Sequence, residues 1–182
     1  MMKNNEFLNA YLNLITEENE LNNKQNLADD ENTPIETLEQ LASDEDVMVR
    51  TRLTYRKTLP QSIIEKLSDD PDWVVRADLA ERTDLSPEII EKLSYDNNVT
   101  VIERICANPN TPAWILEKIT DEICDDNLDL SSPSNEKTMT VMNIIKNKHT
   151  YPDTLLKINN LRLSQRLRSE LNCHIPRKYC KY

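Results

Sequence analysis

The segment SIIEKLSDD at residues 62–70 returns as EIIEKLSYD at residues 88–96, an offset of 26 residues. Neither a helix nor a strand has such a period; fixed periods of about 20–50 residues mark stacked repeat architectures. Stepping by 26 aligns YLNLITEE from Tyr11, TLEQLASD from Thr37, IIEKLSDD from Ile63, IIEKLSYD from Ile89 and ILEKITDE from Ile115. One apolar column runs Leu12, Leu38, Ile64, Ile90, Leu116, and a second runs Ile15, Leu41, Leu67, Leu93, Ile119. Their i, i+3 spacing places both on one helical face. A third column, Leu27, Leu53, Leu79, Ile105, lies in a second short segment. Each segment is too short to be stable alone, so neighbouring repeats must bury one another's apolar faces.

Punctuation and composition agree with this reading. The chain contains no glycine. Two-residue hairpins and phosphate-cradling loops normally need glycine's positive φ, so a β-rich fold and nucleotide-loop enzymes are disfavoured. Thr33-Pro34, Ser86-Pro87 and Thr111-Pro112 place a hydroxyl before a proline suited to the first helical turn, and Glu36 would complete a capping box with Thr33. Pro60 follows Leu59, so that cap is missing or comes from Thr58. After residue 122 the register breaks. Residues 124–137 read as an inserted polar loop, and the pattern resumes after a 40-residue step at Val141, Ile145, Pro152 and Ile158. The organisation expected is one continuous solenoid domain: a cap helix and acidic repeats over 1–123, the loop over 124–137, and a last repeat with a basic cap over 138–182.

The recurring pieces DDPDWVVRADLAERTDLSPEIIEKL and ICANPNTPAWILEKI resemble the leucine-rich repeat variant family, an all-helical relative of HEAT-type repeats. The resemblance covers residues 8–123, and 138–158 less closely. It implies an all-α, right-handed α-solenoid of five to six repeats, in which a helix alternates with a shorter α or 3₁₀ segment. It brings no catalytic residue. The iron–sulfur cluster of the family's founding member, held by N-terminal cysteines, does not transfer, because no cysteine precedes Cys106.

The net charge of −10 hides a split. Residues 1–136 carry 30 acidic and 12 basic side chains, a net −18; residues 137–182 carry 2 acidic and 10 basic, a net +8. Part of this charge has a structural duty. The in-phase carboxylates Glu18, Asp44, Asp70, Asp96 and Glu122 precede the second segments and read as helix caps, with Asp70 ahead of Pro71. Lys24, Arg50 and Arg76 form a basic column that ends at Ile102 and is best read as an internal ladder of cation–carboxylate pairs. Glu45, Asp46, Asp69 and Asp72 have no evident capping duty and are expected to form an acidic edge. Trp73 and Trp114 are core residues or exposed binding anchors.

Catalysis needs a nucleophile–base pair or convergent carboxylates. Both histidines, His149 and His174, lack such a partner at motif spacing, so no enzyme, cofactor or metal is expected. Cys173, His174 and Cys180 have poor zinc-ligand spacing, and the two cysteines read as reduced thiols. The N-terminal twenty residues fit a signal peptide poorly and no apolar run suits a membrane span, so a cytoplasmic protein is expected.

The leading expectation is a non-enzymatic interaction scaffold whose acidic surface, with Glu45, Asp46, Asp69, Asp72, Trp73 and Trp114, binds a basic protein. The alternative is nucleic-acid related. The acidic array would imitate DNA and occupy a nucleic-acid-binding protein, or the tail would bind phosphates through Arg162, Arg166, Arg168, Arg177, Lys178 and Lys181. Direct duplex binding by the repeats is disfavoured, because a −18 region repels phosphate. Salt-sensitive head-to-tail self-association would follow from the same charge split.

Overall fold

A computed structural model describes residues 2–125, 129–132 and 135–175, with side chains from Thr16 onward except that of Asp125. The fold is all-α. It divides into two compact units, Met1–Val75 and Arg76–Tyr182. The first holds α1 (Met2–Asp29), α2 (Ile35–Leu41), α3 (Val47–Thr54) and α4 (Gln61–Ser68), and α5 (Trp73–Ala80) begins at its end. The second holds α6 (Pro87–Ser94), α7 (Val99–Ala107), α8 (Ala113–Asp125), α9 (Thr138–Lys146), α10 (Pro152–Asn159) and α11 (Gln165–His174). Two-residue strands β1 (Asp129–Leu130) and β2 (Arg162–Leu163) pair in parallel. Within each unit the helices pack against near neighbours in the chain: α1 on α3 in the first, and α6 on α7, α7 on α9 and α8 on α10 in the second. Both segments of each repeat are α-helices; the 3₁₀ option for the second segment is not the one observed.

The apolar columns are the core. Leu38, Ile64, Ile90 and Leu116 are buried, as are Leu41, Leu67, Leu93 and Ile119, and Leu53, Leu79 and Ile105, while Leu27 at the head of the third column is half-buried. Removing such a side chain from water stabilises by about 1.5–3 kcal/mol each, which is how helices of 7–9 residues persist. Leu12 and Ile15 lie outside the described side chains.

Three expectations about boundaries are corrected. The first concerns α1, which runs unbroken through Glu18, so Glu18 caps nothing. Residues 17–28 contain no proline and no aspartate to open a turn, so the helix continues. Glu122 likewise sits inside α8, which continues to Asp125 because the aspartate that stops earlier helices is replaced by the longer glutamate. Second, only Ser86 caps as expected, accepting from the Ile89 N–H. The Thr33 hydroxyl turns back and donates to Leu27 O, and Thr111 and Thr150 do the same to Ile105 O and Ile144 O. These hydroxyls close the end of the preceding helix, so Thr33 and Glu36 form no capping box. At α4 Pro60 precedes the helix with no side-chain cap. Third, the equivalence of Thr111 with Thr150 sets the step after the insertion at 39 residues in the turn, one less than the apolar pattern suggested. The insertion itself is not uniformly polar, since Leu130 is fully buried.

Candidate interaction surface

The polar framework follows from the turns. Asp44, Asp70 and Asp96 each accept the backbone N–H two residues on, from Asp46, Asp72 and Asn98, at 3.0, 2.9 and 2.8 Å. Aspartate is short enough to make this turn with its own backbone. The residue reached then caps the next helix: Asp46 accepts from Met48 N, Asp72 from Val74 N and Asn98 from Thr100 N. Asp46 and Asp72 therefore have the capping duty that the sequence reading assigned to the column itself. Asp70 does not cap α5; it opens the turn, and Asp72 supplies the cap.

The second carboxylate face of each turn aspartate receives a cation from twenty residues earlier. Lys24 Nζ lies 2.8 Å from Asp44 Oδ2. Arg50 donates from Nε and Nη2 to Asp70 at 2.7 and 2.9 Å, and Arg76 does the same to Asp96 at 2.6 and 2.9 Å. Arg50 Nη1 also donates to the Asp44 and Glu45 carbonyls. Burial pushes the Asp96 carboxyl up, but Arg76 and the Asn98 N–H outweigh it and hold the group below its ordinary range. Asp44 behaves alike: burial raises it, and Lys24 with the Asp46 N–H brings it net downward. The ladder expected from the basic column is present, and its acceptors are the acidic column.

A second ladder was missed in the sequence. Arg56 Nη1 donates to Ala28 O and Asp30 O at 2.7 and 2.9 Å. Asn108 Nδ2 donates to Ala80 O and Arg82 O at 2.8 and 2.7 Å, and Asn147 Nδ2 to Cys106 O and Asn108 O, both at 2.9 Å. Each side chain satisfies two carbonyls left over where the preceding repeat's second helix ends. The signal was the in-phase run Asp30, Arg56, Arg82, Asn108, whose members share donor groups after the first but not charge.

These ladders decide what faces solvent. Of the described acidic side chains between residues 16 and 136, 17 are exposed, whereas only three basic ones are: Lys57, Lys66 and Lys92. Glu45 and Asp69 are exposed; Asp46 and Asp72 are half-buried. Trp73 and Trp114, which open α5 and sit in the first turn of α8, are 43% and 45% exposed, which removes them from the core. Of the basic tail, Arg162 is exposed 3.9 Å from Asp129, and Arg166 and Arg168 are exposed on α11. Arg177, Lys178, Lys181 and Cys180 lie outside the described residues. Burial pushes the Cys106 thiol far above its ordinary value and leaves it inert.

A narrow cleft of about 110 Å³ opens in the second unit where the first ladder stops. Its apolar walls are Val99, Ile102, Ile119 and Ile123; Ser94, Glu122, Lys137 and Thr140 complete it. Both ends of the rung have changed here. Ile102 stands in the Arg50/Arg76 position, and Asn135, which accepts from Lys137 N, takes the turn position held by Asp70 and Asp96. No helix among the described residues is long and apolar enough to cross a membrane. Comparison with family models, curated proteins and solved structures finds no match to this chain.

Proposed function

We propose that this chain is a non-enzymatic interaction scaffold of the leucine-rich repeat variant type, binding a basic protein through its acidic repeat surface. The carrying observation is the 17-to-3 excess of exposed carboxylates over exposed cations among the described residues between 16 and 136. Its main source is the acidic composition of this region, and holding Arg50, Arg56 and Arg76 inside the fold, on carboxylates and carbonyls, leaves fewer cations outside to offset it. A surface of one sign raises encounter rates with an opposite partner and makes binding salt-dependent. Glu45 and Asp69, with exposed Trp73 on the first unit and Trp114 on the second, supply charge and aromatic anchors. The test is titration of the full chain with a fluorescent Lys/Arg-rich peptide at rising salt. Affinity should fall with ionic strength and weaken in Glu45→Gln/Asp69→Asn; absence of binding, or indifference to salt, overturns the reading.

A second reading draws on exposed Arg162, Arg166 and Arg168: contact with nucleic-acid phosphates at the basic end. A gel shift abolished by Arg166→Glu/Arg168→Glu would favour it. Imitation of DNA by the acidic surface is a special case of the first reading, in which the basic partner is itself a nucleic-acid-binding protein.

A further inference from the structure

We infer that the cleft beside Ile102 receives an arginine side chain of the basic partner. This rests on the acidic-surface reading and names the residue recognised. The fold itself places a guanidinium at this point of the repeat twice. Arg50 and Arg76 stand where Ile102 stands, and each meets a carboxylate twenty residues on with two parallel hydrogen bonds. At Ile102 the guanidinium is gone and a cleft of about 110 Å³ remains. That exceeds the volume of three liquid waters at about 30 Å³ each and falls short of the roughly 150 Å³ cavity that admits benzene, so it suits one extended side chain.

The lining matches such a side chain in parts. Val99, Ile102, Ile119 and Ile123 form walls for a methylene stem, which an arginine buries while its head stays polar. Glu122, twenty residues after Ile102, is exposed at this cleft, and among the described residues its carboxylate makes no hydrogen bond or ion pair. Thr140 closes the floor of the cleft; its hydroxyl is itself buried and, among the described residues, makes no hydrogen bond. A planar guanidinium meets a carboxylate with two parallel hydrogen bonds, as Arg50 and Arg76 do, which a lysine's point charge does less well. Lys137 at the edge does not oppose this: Lys66 lines the corresponding groove beside Arg50 and Asp70, where a guanidinium is nevertheless held.

The probe is a short fluorescent Gly/Ser/Lys peptide with one central arginine, set against the same peptide carrying neutral citrulline. The full chain should prefer the arginine peptide by about tenfold, the scale of one charge-assisted contact. Glu122→Gln and Ile102→Arg, which fills the cleft from within, should each bring the arginine peptide down to the citrulline level. If both peptides bind alike and both weaken with salt, the cleft assignment fails while the acidic-surface reading stands; if neither binds, both fail. An arginine preference kept in Glu122→Gln would place the arginine elsewhere on the surface and would also overturn the assignment.

Discussion

Arg50 and Ile102 occupy the same point of the repeat, two periods apart. At the first, a buried guanidinium closes one repeat onto the turn of the next, meeting Asp70 twice and two backbone carbonyls besides. At the second, an isoleucine faces a cleft, the next turn carries asparagine instead of aspartate, and an exposed glutamate with no partner among the described residues stands at the edge. One position seals the stack with ionic hydrogen bonds; the other leaves the groove open. The helical columns around both are equally well buried, so apolar packing holds the repeats together, and the rung determines whether the groove between them is available.

The comparison breaks most sharply at Arg50. Arg50→Ala leaves the buried Asp70 carboxylate without its guanidinium, which costs about 3–5 kcal/mol and should appear as a large drop in the urea midpoint. Removing the other ladder is milder. Asn108→Ala strands the Ala80 and Arg82 carbonyls, about 2 kcal/mol by the same measurement. Asp72→Ala removes only a cap, about 1 kcal/mol, and leaves the Arg50–Asp70 pair in place. The opposite sign is expected from Ile102→Arg with Asn135→Asp, which rebuilds both ends of a rung. It should stabilise by about 1 kcal/mol and close the cleft, so stability and arginine-peptide binding move in opposite directions.

The least effect at neutral pH is the acid dependence of the rungs. Asp44 and Asp96 are held below their unfolded pKa values. Their contribution is therefore complete above the unfolded aspartate value, near about pH 3.9, and is lost as pH falls through the lower folded values. Glu103 acts in reverse. Burial raises it, so its contribution is present below the unfolded glutamate value and lost as pH rises through the folded one. Acid unfolding followed by circular dichroism should show Arg76→Ala losing the steepness that Asp96 supplies below about pH 4.

Much of this was legible from residue types at a fixed period. The 26-residue phase identified the buried columns, and the break in the basic column at Ile102 marked where the ladder ends. The caps were misplaced by two residues because an aspartate before a proline and an aspartate opening a turn look alike in sequence. Only the backbone path shows which N–H each carboxylate meets. The hydroxyls of Thr33 and Thr111 were assigned to the wrong helix for the same reason: a threonine in a tight turn can reach either end.

The sequence by itself determined the all-helical repeat, because periodic apolar residues with proline punctuation leave a helix pair as the way to bury them. It also determined the sign of the charge in each region. Tertiary structure decided where that charge goes. Stacking brings Arg50 onto Asp70 and turns Arg56 and Asn108 onto carbonyls 26 and 28 residues back, distances at which no local rule operates. With those donors held inside, few cations remain outside to offset the carboxylates. The ladder thereby leaves the surface of the acidic region short of cations, and a cleft opens where its rung is missing.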